Sequence, residues 1–375
     1  MDFSLNFDFS NEDTTYLTHS LHPYPAKFPP QLPKAILSKY GKAGQIVLDP
    51  FCGSGTTLVE SRLLGFNSIG IDVNGLSVLL SKVKSTPFKV NDIFQAKKFI
   101  DRITIEEFQW NKLRPKIQVK NIEGLEHWFQ YNVAEELTFL VNSINEIENE
   151  DVKNFFQIVF SSIIVKVSNQ ESDTRFVAKN KSIKNNYTIR LFLTKSREYL
   201  QRMIVFSEKV NNDCFVKIYN ADSRRLDMLK ECSIDLVITS PPYANTYDYY
   251  LYHKFRKRWL DIDVKFAQYN EIGSRREYSS LKKPAEQWTS DLTKCLSEIY
   301  RVLKQNRLSF IIIGDSVIKK QLIKIDEVVS NISQQIGFKV CNIISSNLSE
   351  HSKMFNPNFT NKDKREHLII LKKSI

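Results

Sequence analysis

The chain has 375 residues, with 53 Lys+Arg against 42 Asp+Glu and a formal net charge of +11. Its 42% hydrophobic and 12% aromatic content excludes a disordered coil and suits one large domain with an insertion, or two domains. No apolar run approaches the roughly 18–20 residues of a membrane span; the acidic opening MDFSLNFDFSNEDTTY is unlike a signal peptide, and the five scattered cysteines form no Cys-x-x-Cys pair, which argues against a disulfide framework or a metal site and suits a reducing cytoplasm.

In chain order, Gln45–Asp49 (QIVLD) reads as a short strand ending in an acid, followed by a glycine-containing turn and a helix over Thr56–Leu64. Ser68–Asp72 is a second strand and Gly75–Val83 a second helix. Two strand–helix units at this spacing predict a parallel, doubly wound α/β sheet. From residue 90 to 205 the pattern changes. Val133, Leu137, Leu140, Val141, Ile144 and Ile147 follow helical spacing, and Phe155–Val167 reads as a more apolar helix. This stretch is expected to be a mostly helical insertion. Strands resume at Phe215–Tyr219, Ile234–Thr239 and Leu308–Gly314, with a helix over Glu286–Lys304 before the last. A helix near Leu322–Ile336 and strands at Phe338–Ser345 and His367–Lys372 bring the total to about seven strands. The chain thus divides into 1–89, 90–205 and 206–375, the first and last forming one domain. Asn356–Phe359 (NPNF) lacks a preceding apolar strand and reads as a loop.

The charge is spread unevenly. Residues 121–151 carry eight acids and no Lys or Arg, whereas 175–202 carry eight bases and one acid, Glu198. The basic stretch includes Arg175, Lys179, Lys181, Lys184 and Arg190, interleaved with Phe176, Tyr187, Phe192 and Tyr199. Bases suit a phosphate backbone and aromatics suit unstacked nucleobases, although a solvated helical face has the same composition. Smaller basic clusters lie at Lys254–Arg258 and at Arg275, Arg276, Lys282 and Lys283.

Two motifs carry chemistry. The first, Asp49-Pro50-Phe51-Cys52-Gly53-Ser54-Gly55-Thr56-Thr57, sits at a strand-to-helix turn. Its glycines allow close backbone approach, and the helix start at Thr56 offers unpaired N–H groups. Asp72 ends the next strand, where a carboxylate can accept ribose hydroxyls. Leu58 stands where a pyrophosphate fingerprint has its third glycine, and no Lys-Ser/Thr follows, so the turn is not a phosphate loop. An acid before the turn suits an ammonium-bearing ligand. S-adenosylmethionine has an amino acid end, a ribose and an adenine, and no phosphate.

The second motif, Thr239-Ser240-Pro241-Pro242-Tyr243, directly follows the strand IDLVI. Ligands of open parallel sheets bind at the carboxyl ends of strands. The amine of a nucleobase is a weak nucleophile because its lone pair is delocalised into the ring. Accepting hydrogen bonds from both its hydrogens, with Ser240 Oγ and the Pro241 carbonyl, draws that pair out. The consecutive prolines stiffen the turn and add no competing N–H, and Tyr243 offers a face to stack on a base rotated out of the duplex.

These motifs, with IGIDVN at 69–74, NADSRRL at 220–226, HPYPAKF at 22–28 and SSIIVKVSNQESDTR at 161–175, resemble those of DNA amino-methyltransferases that modify cytosine N4 or adenine N6. The resemblance implies a Rossmann-like seven-stranded methyltransferase sheet and S-adenosylmethionine as cofactor. It implies Phe51, Gly53, Gly55 and Thr56 against the cofactor, Asp49 towards its amino group and Asp72 on its ribose. Asp222 falls near the adenine amine and Lys27 near the methionine end. Ser240, Pro241, Pro242 and Tyr243 become the catalytic loop. Ser at position 240 is the form more often paired with cytosine N4; adenine N6 is the alternative. The implied partners are double-stranded DNA and a cognate restriction endonuclease, in a bacterial or archaeal cytoplasm. The insertion at 90–205 and the segment at 244–290 are the two candidate recognition elements, and the insertion is preferred because it carries the basic stretch with Arg175, Lys179, Lys181, Lys184 and Arg190. The competing classes are an RNA guanine-N2 methyltransferase, for which the roughly 45 residues before the first strand are few for an RNA-binding domain, and a catalytically silent DNA-binding subunit, which the intact motifs disfavour.

Overall fold

The computed structural model describes residues 3–5, 9, 11–210, 213–281, 284–318, 321–347 and 364–374. The predicted Asn356–Phe359 loop and the bases Lys282 and Lys283 lie outside them. β1 (Ile46–Asp49) and β2 (Asn67–Asp72) are followed by the helices Thr56–Leu63 and Gly75–Ser85. β3 (Gln170–Ser172) and β4 (Arg175–Ala178) form a separate hairpin inside the insertion. β5 (Val216–Asn220), β6 (Ile234–Thr239) and β7 (Leu303–Gly314) return to the main sheet. β8 (Ser316–Ile318) and β9 (Gln321–Ile323) pair with each other, and β10 (Phe338–Asn347) and β11 (Arg365–Lys373) complete the sheet. Its order is β10-β11-β7-β6-β1-β2-β5. β11 runs antiparallel to both neighbours, and the pairs β7–β6, β6–β1, β1–β2 and β2–β5 are parallel.

The sheet is apolar on both faces, as expected of strands covered by helices on either side. Val47, Leu236, Ile238, Phe310 and Ile312 pack beneath the helix Gln31–Tyr40. Their chain neighbours Leu48, Val237, Ile311 and Ile313 face the opposite layer, which includes Trp288 and Leu292 of the helix Ala285–Val302. Two boundaries moved. β7 starts at Leu303 because Leu303 already pairs with Ile234, and the polar residues Lys304–Arg307 continue the strand irregularly, with Asn306 at φ +60°. The helix expected from Leu322 starts at Ile325, since Leu322 and Ile323 pair with Val317 and Ser316.

The insertion contains the helices Val90–Phe108, Tyr131–Asn145, Glu150–Val167 and Tyr187–Lys209. Its core is continuous with that of the sheet layer: Leu76, Leu80 and Val83 of the helix after β2 share one cluster with Ile100, Phe155, Phe156 and Leu193. No break in packing marks the boundary at residue 90. Part of the acidic stretch has a structural task. The Glu136 carboxylate accepts the amides of Asn186 (2.7 Å), Thr188 (2.9 Å) and Ile189 (3.3 Å), capping the first turn of the helix Tyr187–Lys209. Among the described residues no helix is long and apolar enough to cross a membrane.

Past the end of β7, the Asp315 carboxylate accepts the amides of Ile325 and Arg365 (both 3.0 Å) and a hydrogen bond from His367 Nε2 (3.1 Å). Asp326 lies 4.0 Å from the same imidazole nitrogen. The three side chains approach one another as metal ligands do, but the oxygens of Asp315 are engaged by these donors. The group acts as a clamp that fixes the start of β11 against the end of β7.

Candidate active site

The order of the sheet reverses between β1 and β6, and the two motif turns leave the carboxyl ends of these two strands. Asp49, 1% exposed, joins them: its Oδ1 accepts the Thr239 hydroxyl (2.6 Å) and the Phe51 amide (3.1 Å). Burial pushes its carboxyl up to about 6. Gly55 caps the following helix at φ +80°, and a Cβ there would lie 3.0 Å from Ser81 Cα, so that close crossing requires glycine.

Asp72 receives the Gly53 amide on Oδ2 (2.9 Å) and the Asn74 amide on Oδ1 (2.8 Å), and burial raises it to about 6. The Ser223 hydroxyl donates to the Pro50 carbonyl and holds the loop after β5 against the first turn. In that loop Asp222 is paired with Arg224 (2.7 Å), whose guanidinium also reaches Asp291 (3.2 Å). The second turn is held from two sides. Trp288 Nε1 donates to the Pro242 carbonyl (3.0 Å), and the Tyr243 hydroxyl donates to Glu366 Oε1 of β11 (2.8 Å). A Cβ at Gly314 would lie 3.0 Å from Tyr243 Cε2, so the ring rests directly on the end of β7.

Both turns open on one cavity. Of the residues predicted from sequence, Lys27, Phe51, Gly53, Thr56, Asp72, Asp222, Ser240, Pro241, Pro242 and Tyr243 line it. Asp49 and Gly55 stand behind the wall, engaged with Thr239 and Ser81 as described. Lys27 donates to the His19 carbonyl (3.1 Å).

Sequence reasoning missed other wall residues: Tyr24, Tyr247, Tyr249, Tyr250, Asn270 and Glu271. The Tyr24 ring stacks on Tyr249 (5.8 Å between centroids) and on His253 (5.1 Å), and its hydroxyl is hydrogen-bonded to Ser77 (2.8 Å). The available signal was density, since five of the 15 tyrosines fall within residues 243–252. Glu271 gave no signal as an isolated acid. It accepts the Tyr249 amide (2.7 Å), and burial pushes its carboxyl up to about 8. Nearby, burial brings the Lys257 ammonium down to about 8, opposed by the fields of Glu271, Asp263 and Asp72.

The predicted DNA-facing bases separate into two groups. Arg175 on β4, Lys179 and Lys184 are exposed, with Arg175 3.1 Å from Glu171. Lys181 is a correction: its ammonium donates to the carbonyls of Val165 (2.8 Å) and Gln170 (2.7 Å) and ties the hairpin to the preceding helix. Arg190 pairs with Glu107 (2.8 Å) while its side chain stays 66% exposed. The hairpin itself was not predicted, since strands of three and four residues are too short to show alternation. Phe176 stacks on Phe255 (5.5 Å), and Asp173 pairs with the fully buried Arg256, so the hairpin rests on the segment that follows the Ser-Pro-Pro-Tyr turn.

The family model N6_N4_Mtase, described as DNA methylase, matches residues 6–81 and 234–374. The unmatched stretch contains the insertion. Type II methyltransferase M.MjaII of Methanocaldococcus jannaschii is 26% identical over 414 aligned positions, covering 86% of this chain and 76% of that protein. Type II methyltransferase M.MvaI of Kocuria varians is 27% identical over 375 positions, covering 86% and 82%. Type II methyltransferase M.BsoBI of Geobacillus stearothermophilus is 24% identical, covering 66% and 53%. The matched segments span more than half of the chain and contain both turns of the cavity, and the chain belongs to this family of DNA methylases, the S-adenosylmethionine-dependent methyltransferases of exocyclic DNA amines.

Proposed function

We propose that the protein methylates cytosine N4 at a specific sequence in double-stranded DNA, as the modification enzyme of a restriction-modification system or as an orphan modification enzyme in a bacterial or archaeal cytoplasm. The observation that carries this reading is the meeting of the Ser240–Tyr243 turn with the Asp72 and Asp222 carboxylates on the wall of one cavity.

The residues present fit S-adenosylmethionine. Asp72 has one backbone amide on each oxygen and keeps further lone pairs for ribose hydroxyls. Asn74 lines the cavity, and its buried Nδ2 has no hydrogen-bond partner among the described residues, so a donor awaits a ligand. Asp222 supplies an acceptor for the adenine amine, Phe51 an apolar face, and Gly53 and Thr56 close backbone approach. When bound, the cofactor supplies an electrophilic methyl on a sulfonium. The chain's own task is positioning, which accounts for much of the acceleration in such a transfer.

Ser240 Oγ and the Pro241 carbonyl accept the two amine hydrogens. The Pro242 carbonyl already accepts from Trp288, which favours Pro241 for this role. Tyr243 stacks on the extruded base. Methylation at a ring carbon would need a thiolate nucleophile. Among the described residues the cysteine on the cavity wall is Cys52, 4% exposed, and burial pushes its thiol well up. A neutral hydroxyl at position 240 favours cytosine N4 through the family resemblance, and the names of the Type II relatives favour a restriction-modification setting. Duplex DNA lies over the exposed bases Arg175, Lys179 and Lys184, which the hairpin connects to the catalytic segment.

Three outcomes test this reading. Ser240→Ala and Tyr243→Ala each lower methyl transfer to DNA by about 10²–10³-fold while S-adenosylmethionine binding, followed by calorimetry, stays intact; unchanged transfer overturns the assignment. The Asp72 carboxyl titrates near 6, above its ordinary 3.8, and only its ionised form accepts both hydroxyls. Cofactor affinity therefore falls as the pH drops through about 6, and Asp72→Asn binds weakly at every pH with this dependence removed. The pair Lys179→Ala/Lys184→Ala weakens DNA binding on all sequences alike and reduces the slope of log K against log salt by about 2. Lys181→Ala instead lowers the melting temperature.

A further inference from the structure

The helix Val90–Phe108 opens the insertion and is apolar on two opposite sides. Ala96, Phe99, Ile100 and Ile103 face inward, and the Phe99 ring lies 4.3 Å from that of Phe156 in the core. On the other side Val90, Phe94, Ile105 and Phe108 are 86%, 64%, 60% and 83% exposed. A helix on the surface of a single chain needs one apolar face to join the core. The second face stands in solvent, and contiguous apolar patches of this kind mark contact surfaces.

At about 100° per residue, these four side chains and the intervening Lys97, Lys98 and Asp101 occupy one strip about 100° wide. Along the helix the strip reads as two apolar residues, two bases, one acid and two apolar residues. That order is complementary to itself. A second copy of the helix, laid antiparallel about a two-fold axis at the level of residues 99 and 100, sets Phe108 on Val90, Ile105 on Phe94 and Asp101 on Lys97 and Lys98. The symmetry makes every contact twice. A parallel copy would set bases on bases and acid on acid, so the charges select the antiparallel arrangement. Among the described residues, Lys97, Lys98 and Asp101 form no ion pair within the chain. The neighbouring bases are committed inside the fold, Arg102 to Glu146 (2.6 Å) and Arg197 to the Thr104 hydroxyl (2.8 Å). Four apolar side chains and an acid do not suit a phosphate backbone, which separates this face from the exposed bases of the hairpin.

We infer that this face of the helix Val90–Phe108 is a homodimer interface, covered by the same face of a second copy of the chain. One helix pair is a small interface, so the association is weak and reversible. It is independent of which base is methylated.

The test is sedimentation velocity of the full-length protein without DNA, between about 1 and 100 μM. The wild-type chain of 43.7 kDa is expected to move towards twice that mass as its concentration rises. Asp101→Lys sets bases against bases, and Lys97→Glu/Lys98→Glu sets acids against acids. Each is expected to associate at least about tenfold more weakly. Mixed in equal amounts, the two variants again pair acids with bases at both ends, and association returns to the wild-type level. Phe94→Ser/Phe108→Ser stays monomeric and melts within about 2 °C of wild type, since neither ring belongs to the core. A wild-type protein that keeps the mass of one chain over the whole range overturns the interface. So does a charge-reversed variant that associates like wild type, or a mixture that remains monomeric. A large fall in the melting temperature of Phe94→Ser/Phe108→Ser contradicts it too, because the strip would then belong to the fold of a single chain.

Discussion

One buried carboxylate oxygen sets the geometry of the site. Asp49 Oδ1 holds the Phe51 amide of the glycine turn and the Thr239 hydroxyl at the start of the Ser-Pro-Pro-Tyr turn, and thereby spaces the two. The turns belong to strands 190 residues apart in sequence that meet only because β1 and β6 are parallel neighbours, with Leu48 opposite Val237. An in-line transfer tolerates little error in separation. Removing the acceptor leaves buried donors unsatisfied, at a cost of about 1–3 kcal/mol each, and frees both turns to drift. Everything else around the cavity braces this pair: Ser223 on the Pro50 side, Trp288 on the Pro242 side, and Gly314 beneath the Tyr243 ring.

The bracing reaches further than the sheet. Tyr24 comes from the N-terminal block, Tyr249 from the segment after the Ser-Pro-Pro-Tyr turn, and their stacked rings close the cavity together. That same segment supplies Arg256, fully buried, whose guanidinium binds Asp173 at the tip of the insertion hairpin and donates to the Ser161 carbonyl (3.0 Å). The exposed bases of the hairpin are thus a short covalent and ionic path from the cavity. The hairpin and the cavity wall therefore belong to one connected body of side chains.

What the sequence revealed and what it concealed divide along a physical line. The central strands are buried on both faces and carry continuous apolar runs, so they could be read directly, as could the half-buried edge strands β5 and β10; the glycine turn and Ser-Pro-Pro-Tyr turn are local motifs whose chemistry follows from adjacent residues. Asp49 was harder. Its place at a strand end is compatible with facing a ligand or a neighbouring strand, and only the β1–β6 pairing puts Thr239 within 2.6 Å. Lys181 looked like its neighbours Lys179 and Lys184 because composition does not distinguish a solvated ammonium from one bound to two carbonyls. The net charge was a similar case: Glu136 and Glu107 engage the start of the helix Tyr187–Lys209 and Arg190, so part of the contrast between the acidic and basic stretches is spent inside the fold. Glu366 and Glu271 were invisible, since each acts through a contact made far along the chain.

The central claim is transfer of a methyl group to an exocyclic amine, cytosine N4, held by Ser240 and Pro241. Its most direct measurement is incubation of the purified protein with isotope-labelled S-adenosylmethionine and genomic duplex DNA, followed by digestion to nucleosides and mass spectrometry. Label in N4-methylcytosine is the expected result. Label in N6-methyladenine would contradict the choice of base, and label in 5-methylcytosine, or none in DNA, would contradict the mechanism itself.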